Sequence, residues 1–152
     1  MDSHVTSFSN ILVAVDGSES AQRAARVAIE LAKTFGADLT VLHIMEIPAI
    51  PYMSDRPVEV DVKELDEAAR SEGMRMVSKA ASLADTRGVD AKEKVIRHMG
   101  SVAEGITDYA KKNGIDLIVV GTRGMSSIKK LLMGSIARGV VGSADCSVLV
   151  VR

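Results

Sequence analysis

The sequence predicts an α/β fold: one domain with a doubly wound, five-stranded parallel sheet in the order 3-2-1-4-5 and helices on both faces. Three observations carry that prediction. Apolar runs of strand length recur at Ile11–Val15, Leu39–Ile44, Leu117–Val120 and Val148–Val151, and unbroken runs of this kind suit strands buried on both faces. Helix-periodic segments separate them, and regular alternation of strand and helix implies parallel strands joined by right-handed crossovers. The length of 152 residues is close to the usual size of one domain.

The elements follow in order. After the first strand, Ala21, Ala24, Ala25, Ala28, Leu31, Ala32 and Phe35 repeat at three and four, with Ser18 as the starting cap and Gly36 as the stop. The Leu39–Ile44 strand leads into Glu46–Glu59, which holds all three prolines and is expected to be a surface loop rather than a domain boundary. A second helix is expected from about Val60 to Arg87 on the spacing of Val62, Leu65, Ala69, Met76, Ala80 and Leu83, with Gly73 weakening its middle and Gly88 ending it. Ala91–Arg97 mixes polar and apolar residues, as an edge strand does. Ser101 to Glu104 has the form of a capping box opening a helix that runs to Asn113-Gly114. A Gly/Ser-containing loop follows the Leu117 strand, then a helix from about Ser135 to Ser143 and the closing strand. Residues 1–9 are expected to be a flexible tail, and residues 10–152 the folded domain.

Composition excludes several functions. The chain is 47% hydrophobic and 26% charged, with 19 Lys plus Arg against 20 Asp plus Glu, which rules out disorder and leaves no net basic charge for phosphate-driven nucleic-acid binding. Two Phe, two Tyr and no Trp leave little to stack bases. The single Cys146 has no partner for an intramolecular disulfide, and no CxxC or Cys/His cluster supplies a zinc site. No metal site is expected. The first ten residues lack the basic start and apolar stretch of a signal peptide, and no apolar run approaches the roughly 18 to 20 residues that cross a bilayer. A soluble, cytoplasmic protein with neither nucleic acid nor membrane as partner is the expectation.

In a sheet of this order, ligands bind beyond the carboxyl ends of the strands where the order reverses, between strands 1 and 4. Strand 1 ends in Val15-Asp16-Gly17-Ser18 and strand 4 in Gly121-Thr122-Arg123-Gly124, so two ligand-like turns flank that crevice. Gly121 and Gly124 allow positive φ and close approach, Gly134-Ser135 opens the last helix with free N–H groups, and Arg123 adds charge. Together they form a candidate anion cradle, against the plainer reading of each glycine as a cap or turn. No GxxxxGK[ST] and no GxGxxG after the first strand is present. His43 and His98 are read as packing or hydrogen-bonding residues, Cys146 as structural, Lys129-Lys130 as a loop edge able to steer phosphates, and the eight methionines as core filler.

Gly121, Gly124, Gly134 and Ser135 spell G-x2-G-x9-G-S. With ILVAVDGS, LTVLHI and the closing VLVV, this resembles the ATP-binding branch of the universal stress protein family, over Asn10 to Arg152. The resemblance implies that Asp16 and the backbone around Ala14 and Val15 meet ribose and adenine, with Val41 lining the adenine pocket. It implies that Gly121, Arg123, Gly124, Gly134, Ser135 and Ile136 surround ribose and phosphates, and that the ligand is ATP, or AMP or ADP, with magnesium carried by the phosphates. Proteins of that family usually have Pro where Ser147 stands here.

The leading expectation is therefore an adenine-nucleotide-binding regulatory protein of the stress response, a sensor or effector whose bound nucleotide biases a conformational or partner-binding equilibrium. The resemblance also implies a cytoplasmic homodimer paired through the C-terminal strand and a downstream protein partner. A slow ATPase or nucleotide-transferring enzyme is the alternative, and no catalytic residue is assigned because no convincing base stands out beside Asp16. A structural dimerisation module, with its glycines acting only as caps, is the third reading.

Overall fold

The computed structural model describes residues 7–46, 52–53, 56–57, 62–123 and 133–152. Its elements are β1 (Asn10–Ala14), α1 (Glu19–Phe35), β2 (Asp38–Met45), β3 (Tyr52–Met53), β4 (Arg56–Pro57), α2 (Val62–Thr86), β5 (Ala91–Arg97), α3 (Val102–Lys112), β6 (Leu117–Gly121), α4 (Ser135–Ser143) and β7 (Ser147–Val151). Five of the strands form one sheet in the order β5-β2-β1-β6-β7, all pairs parallel. Counted along the chain, that is 3-2-1-4-5. Within the proline-bearing connection, Tyr52–Met53 pairs antiparallel with Arg56–Pro57; residues 47–51, 54–55 and 58–61 of that connection lie outside the described residues.

Right-handed crossovers dictate which face each helix covers. The steps from β1 to β2 and from β2 to β5 run in one direction, so α1 and α2 share a face; the return to β6 and the step to β7 put α3 and α4 on the other. Two cores result. Ile11, Val13, Val15, Leu39, Val41, Leu117 and Val119 point into the first with the alanines of α1 and Val77 and Ala80 of α2. Leu12, Leu42, Ile44, Ile118 and Val120 point into the second with Ile106 of α3 and Ala137 and Val140 of α4. The β1 side chains from Ile11 to Val13 are wholly removed from water, each contributing roughly 1.5–3 kcal/mol before entropy is counted.

The helix ends form as their residues dictate. Ser18 Oγ accepts the Ala21 N–H at 3.1 Å, and Gly36 closes α1 at φ 63°. At α3, Ser101 and Glu104 complete both halves of the capping box. Phe8 stands edge-on to Phe35 at 5.6 Å, and the Ser9 and Asn10 N–H groups donate to Asp116 at 2.8 and 3.0 Å. The domain's contacts thus include Phe8 and Ser9, before Asn10, while residues 1–6 lie outside the described residues. Core filling holds for Met45, whereas Met74, Met99 and Met133 are exposed.

Gly73 does more than weaken α2. A Cβ there would stand 2.7 Å from His43 Cδ2 and 2.9 Å from Val95 Cγ1, so the missing side chain is what lets α2 lie close over β2 and β5. Gly73→Ala is expected to lose about 1–2 kcal/mol in urea unfolding, because overpacking against a ring and a branched side chain outweighs the gain in helix propensity of about 1 kcal/mol. A more stable variant would show that the two neighbours yield freely.

Candidate functional site

The sheet order reverses between β1 and β6, which pair side by side at Ile11↔Leu117, Leu12↔Ile118 and Val13↔Val119. Their carboxyl ends open the crevice where doubly wound folds take ligands. On the β1 side, Val15 still donates its N–H to the Leu42 carbonyl at 2.9 Å. The chain then turns: Asp16 Oδ1 accepts the Ser18 N–H at 2.9 Å, Gly17 takes φ 84°, and α1 starts. One carboxylate oxygen is thereby spent on the turn. Oδ2 has no hydrogen-bond partner among the described residues, and Asp16 is half-buried.

On the β6 side, the Ser18 hydroxyl donates to the Arg123 carbonyl at 3.4 Å, and the Arg123 N–H donates to Ser20 Oγ at 3.4 Å. Ser20 Oγ in turn donates to the Val151 carbonyl at 3.3 Å, which also accepts the Thr122 N–H at 2.7 Å and the Thr122 hydroxyl at 3.1 Å. The first turn of α1, the end of β6 and the end of β7 are thus tied together. Gly121 makes this approach possible: a Cβ there would stand 2.7 Å from the Ser20 carbonyl carbon and 2.8 Å from its oxygen. Its φ is not positive, so its lack of a side chain serves the packing of α1 on β6 rather than a left-handed turn.

The Gly134 N–H donates to the Thr122 carbonyl at 2.5 Å, so the excursion through the spacer starts and ends at one place and sets the start of α4 beside the end of β6. Gly134 is the N-cap, extended at φ −64° and ψ 162°, and no side chain caps the helix. Among the described residues no side chain accepts from the first-turn N–H groups of α4, and the helix dipole favours an anion there. Ser135 is exposed at this end and Ile136 half-buried. Gly124, Lys129 and Lys130 lie outside the described residues.

The structure thus sets the Val15-Asp16 turn, the Gly121–Arg123 end of β6 and the Gly134-Ser135 start of α4 at one end of the sheet, with Ala14 half-buried as the last residue of β1 and Ile136 packed against the second core. It does not bring Val41 there. Val41 pairs with Val13 in mid-strand and is wholly buried in the core beneath α1 and α2. Sequence reasoning missed Ser20 and Thr122, whose hydroxyls hold the mouth together; a Ser two residues into a helix and a Thr after a glycine carry no distinctive signal.

His43 and His98 both hydrogen-bond. His43 Nδ1 lies 2.8 Å from the Val15 carbonyl, while His98 Nε2 meets Asp108 at 2.9 Å and its Nδ1 accepts the Gly100 N–H at 3.0 Å. Burial pushes the Cys146 thiol up from its ordinary range, the opposite of what a nucleophilic cysteine needs. Among the described residues, no group of three or more His, Cys, Asp or Glu side chains could hold a metal ion, and no helix is long and apolar enough to cross a membrane.

These features define a doubly wound α/β domain with a crevice at its switch point. The sequence model of the Universal stress protein family matches residues 7–152, and the chain belongs to that family. It is 33% identical over 153 residues to universal stress protein YxiE of Bacillus subtilis, an alignment covering 95% of this chain and 99% of the relative. The structure of universal stress protein UspA from Lactobacillus plantarum superposes with a TM-score of 0.81 at 29% identity, over 97% of this chain and 99% of the other. A universal stress protein from Archaeoglobus fulgidus, solved in complex with dAMP, shares the fold at a TM-score of 0.66 and 24% identity, over 97% of this chain and all of the other.

Proposed function

We propose that the protein is an adenine-nucleotide-binding regulatory protein of the stress response. One observation carries this reading: hydrogen bonds of Ser18 and Thr122 tie the Asp16 turn, the Arg123 backbone and the start of α4 to one end of the sheet, at its switch point. The donor set fits the ligand. A carboxylate oxygen accepts hydrogen bonds from ribose hydroxyls, while helix N–H groups and a guanidinium suit phosphate. The dAMP complex of the Archaeoglobus fulgidus protein supports the same reading, since that fold holds an adenine nucleotide. Ala14, Val15, Asp16, Gly121, Arg123, Gly124, Gly134, Ser135 and Ile136 are the proposed contacts, with ATP or AMP as ligand and any magnesium carried by the phosphates. Asp16 is already engaged with the Ser18 N–H, and we assign no catalytic residue.

The two edges of the sheet differ in a way that favours a homodimer through the last strand. Lys92, Glu93 and Lys94 lie exposed on the β5 edge, whereas β7 presents Val148-Leu149-Val150-Val151. Charge blunts one edge, and the apolar one invites a partner. Nucleotide and dimer together would act as a sensor or effector on a downstream protein in the cytoplasm.

Calorimetric titration with AMP, comparing the wild type with Asp16→Asn, tests the reading. The amide still accepts the Ser18 N–H through its oxygen, so folding is expected to be unchanged, while loss of a charged acceptor for ribose weakens AMP binding about 10- to 100-fold. Equal affinity in the two proteins would remove Asp16 from the site.

A further inference from the structure

We propose that His43 is a positioning residue of the crevice: its imidazole holds the Val15 carbonyl, and through it the turn that aims Asp16, with Gly73 of α2 supplying the space for the ring. This rests on the nucleotide reading above. His43 lies near the carboxyl end of β2, half-buried, with Nδ1 2.8 Å from the Val15 carbonyl oxygen. A carbonyl only accepts, so Nδ1 carries the proton and the ring is the donor. Val15 is thereby gripped twice by β2, its N–H by the Leu42 carbonyl at 2.9 Å and its carbonyl by the His43 side chain. The next peptide leads into Asp16, whose Oδ1 takes the Ser18 N–H and whose Oδ2 faces no protein donor among the described residues.

The other side of the ring explains why α2 has a glycine in its middle. A Cβ at Gly73 would stand 2.7 Å from His43 Cδ2, so the helix backbone itself lies over the imidazole edge. Val95 of β5 closes the same gap, 2.9 Å from that Cβ. The ring has little room to swing away from Val15. Strand, ring and helix therefore orient one peptide at the mouth of the site, as an outer-sphere group orients a ligand to a metal.

The test uses three variants and AMP. Asn at position 43 sets an amide N–H donor where Nδ1 stands, Gln moves that donor one bond outward, and Leu fills the space without a donor. Calorimetry is expected to show AMP binding weakened about tenfold in His43→Leu and in His43→Gln but restored to within about threefold in His43→Asn, on the scale of one lost hydrogen bond. Imidazole 15N spectra of the wild type are expected to show a proton on Nδ1. If His43→Leu does not fold, the contrast between Asn and Gln reads the same point. A wild type that binds AMP beside His43→Leu and His43→Gln variants that bind it equally well overturns the positioning role and leaves the nucleotide reading standing; so does a ring protonated only at Nε2. A wild type that binds no AMP overturns both.

Discussion

Gly134→Glu is expected to fold normally and to lose nucleotide binding by at least about 100-fold, the largest functional effect of any single change in the crevice. The backbone at Gly134 is extended at φ −64° and ψ 162°, a conformation open to any residue, so the substitution brings no backbone strain. Its effect is electrostatic. A carboxylate at the N-cap reaches the first-turn N–H groups of α4 and occupies the position in which a phosphate is expected. It also adds a negative charge to a crevice that already holds Asp16. The melting temperature is expected to stay level or to rise slightly, since the helix gains an acidic cap. Thermal unfolding beside an AMP titration checks both halves. Binding that survives in a folded Gly134→Glu protein would mean that the start of α4 does not receive the phosphate.

Gly121→Ala is the complementary case, in which stability fails first. The new Cβ would meet the Ser20 carbonyl carbon at 2.7 Å and its oxygen at 2.8 Å, and these are backbone atoms in the first turn of α1. They cannot rotate aside. The helix start must move off β6, which stretches the bonds from Ser18 Oγ to the Arg123 carbonyl and from the Arg123 N–H to Ser20 Oγ. A loss of about 3 kcal/mol is expected, or roughly 6–12 °C in melting temperature for a domain of this size. Gly142→Ala is the control, because nothing lies within 4 Å of a Cβ at that position in α4. It is expected to be neutral or to stabilise by up to about 1 kcal/mol. Equal melting temperatures for the Gly121→Ala and Gly142→Ala variants would show that α1 and β6 do not approach as closely as described.

Much of the fold was legible because it rests on local chemistry. The Ser101 and Glu104 pair, Ser18 before α1 and the glycines at 36 and 88 mark helix ends through their own backbone and side-chain preferences. The strand order followed from alternation and handedness, and the crevice followed from the order. What stayed hidden was non-local. In Leu39–Ile44 every residue but Thr40 and His43 is apolar, so the run carries no period-two signal to say which face Val41 takes, and pairing beside Val13 put it under α1 and α2. Gly121 read as freedom for a turn, and only the approach of Ser20 showed that it is clearance for a helix. Gly73 read as a weak point in α2, because the ring it accommodates lies 30 residues earlier in the chain. The pairing of β3 with β4 was masked by prolines at 48, 51 and 57, which argue against strands.

Whether an adenine nucleotide occupies the crevice between β1 and β6 is read most directly by an AMP titration of the 15N-labelled, nucleotide-stripped protein followed amide by amide. Saturation at one AMP per chain is expected, with the largest shifts at Ala14 to Ser18, Gly121 to Arg123 and Gly134 to Ile136, and little change along β5. Shifts gathered elsewhere, or none that saturate, would contradict it.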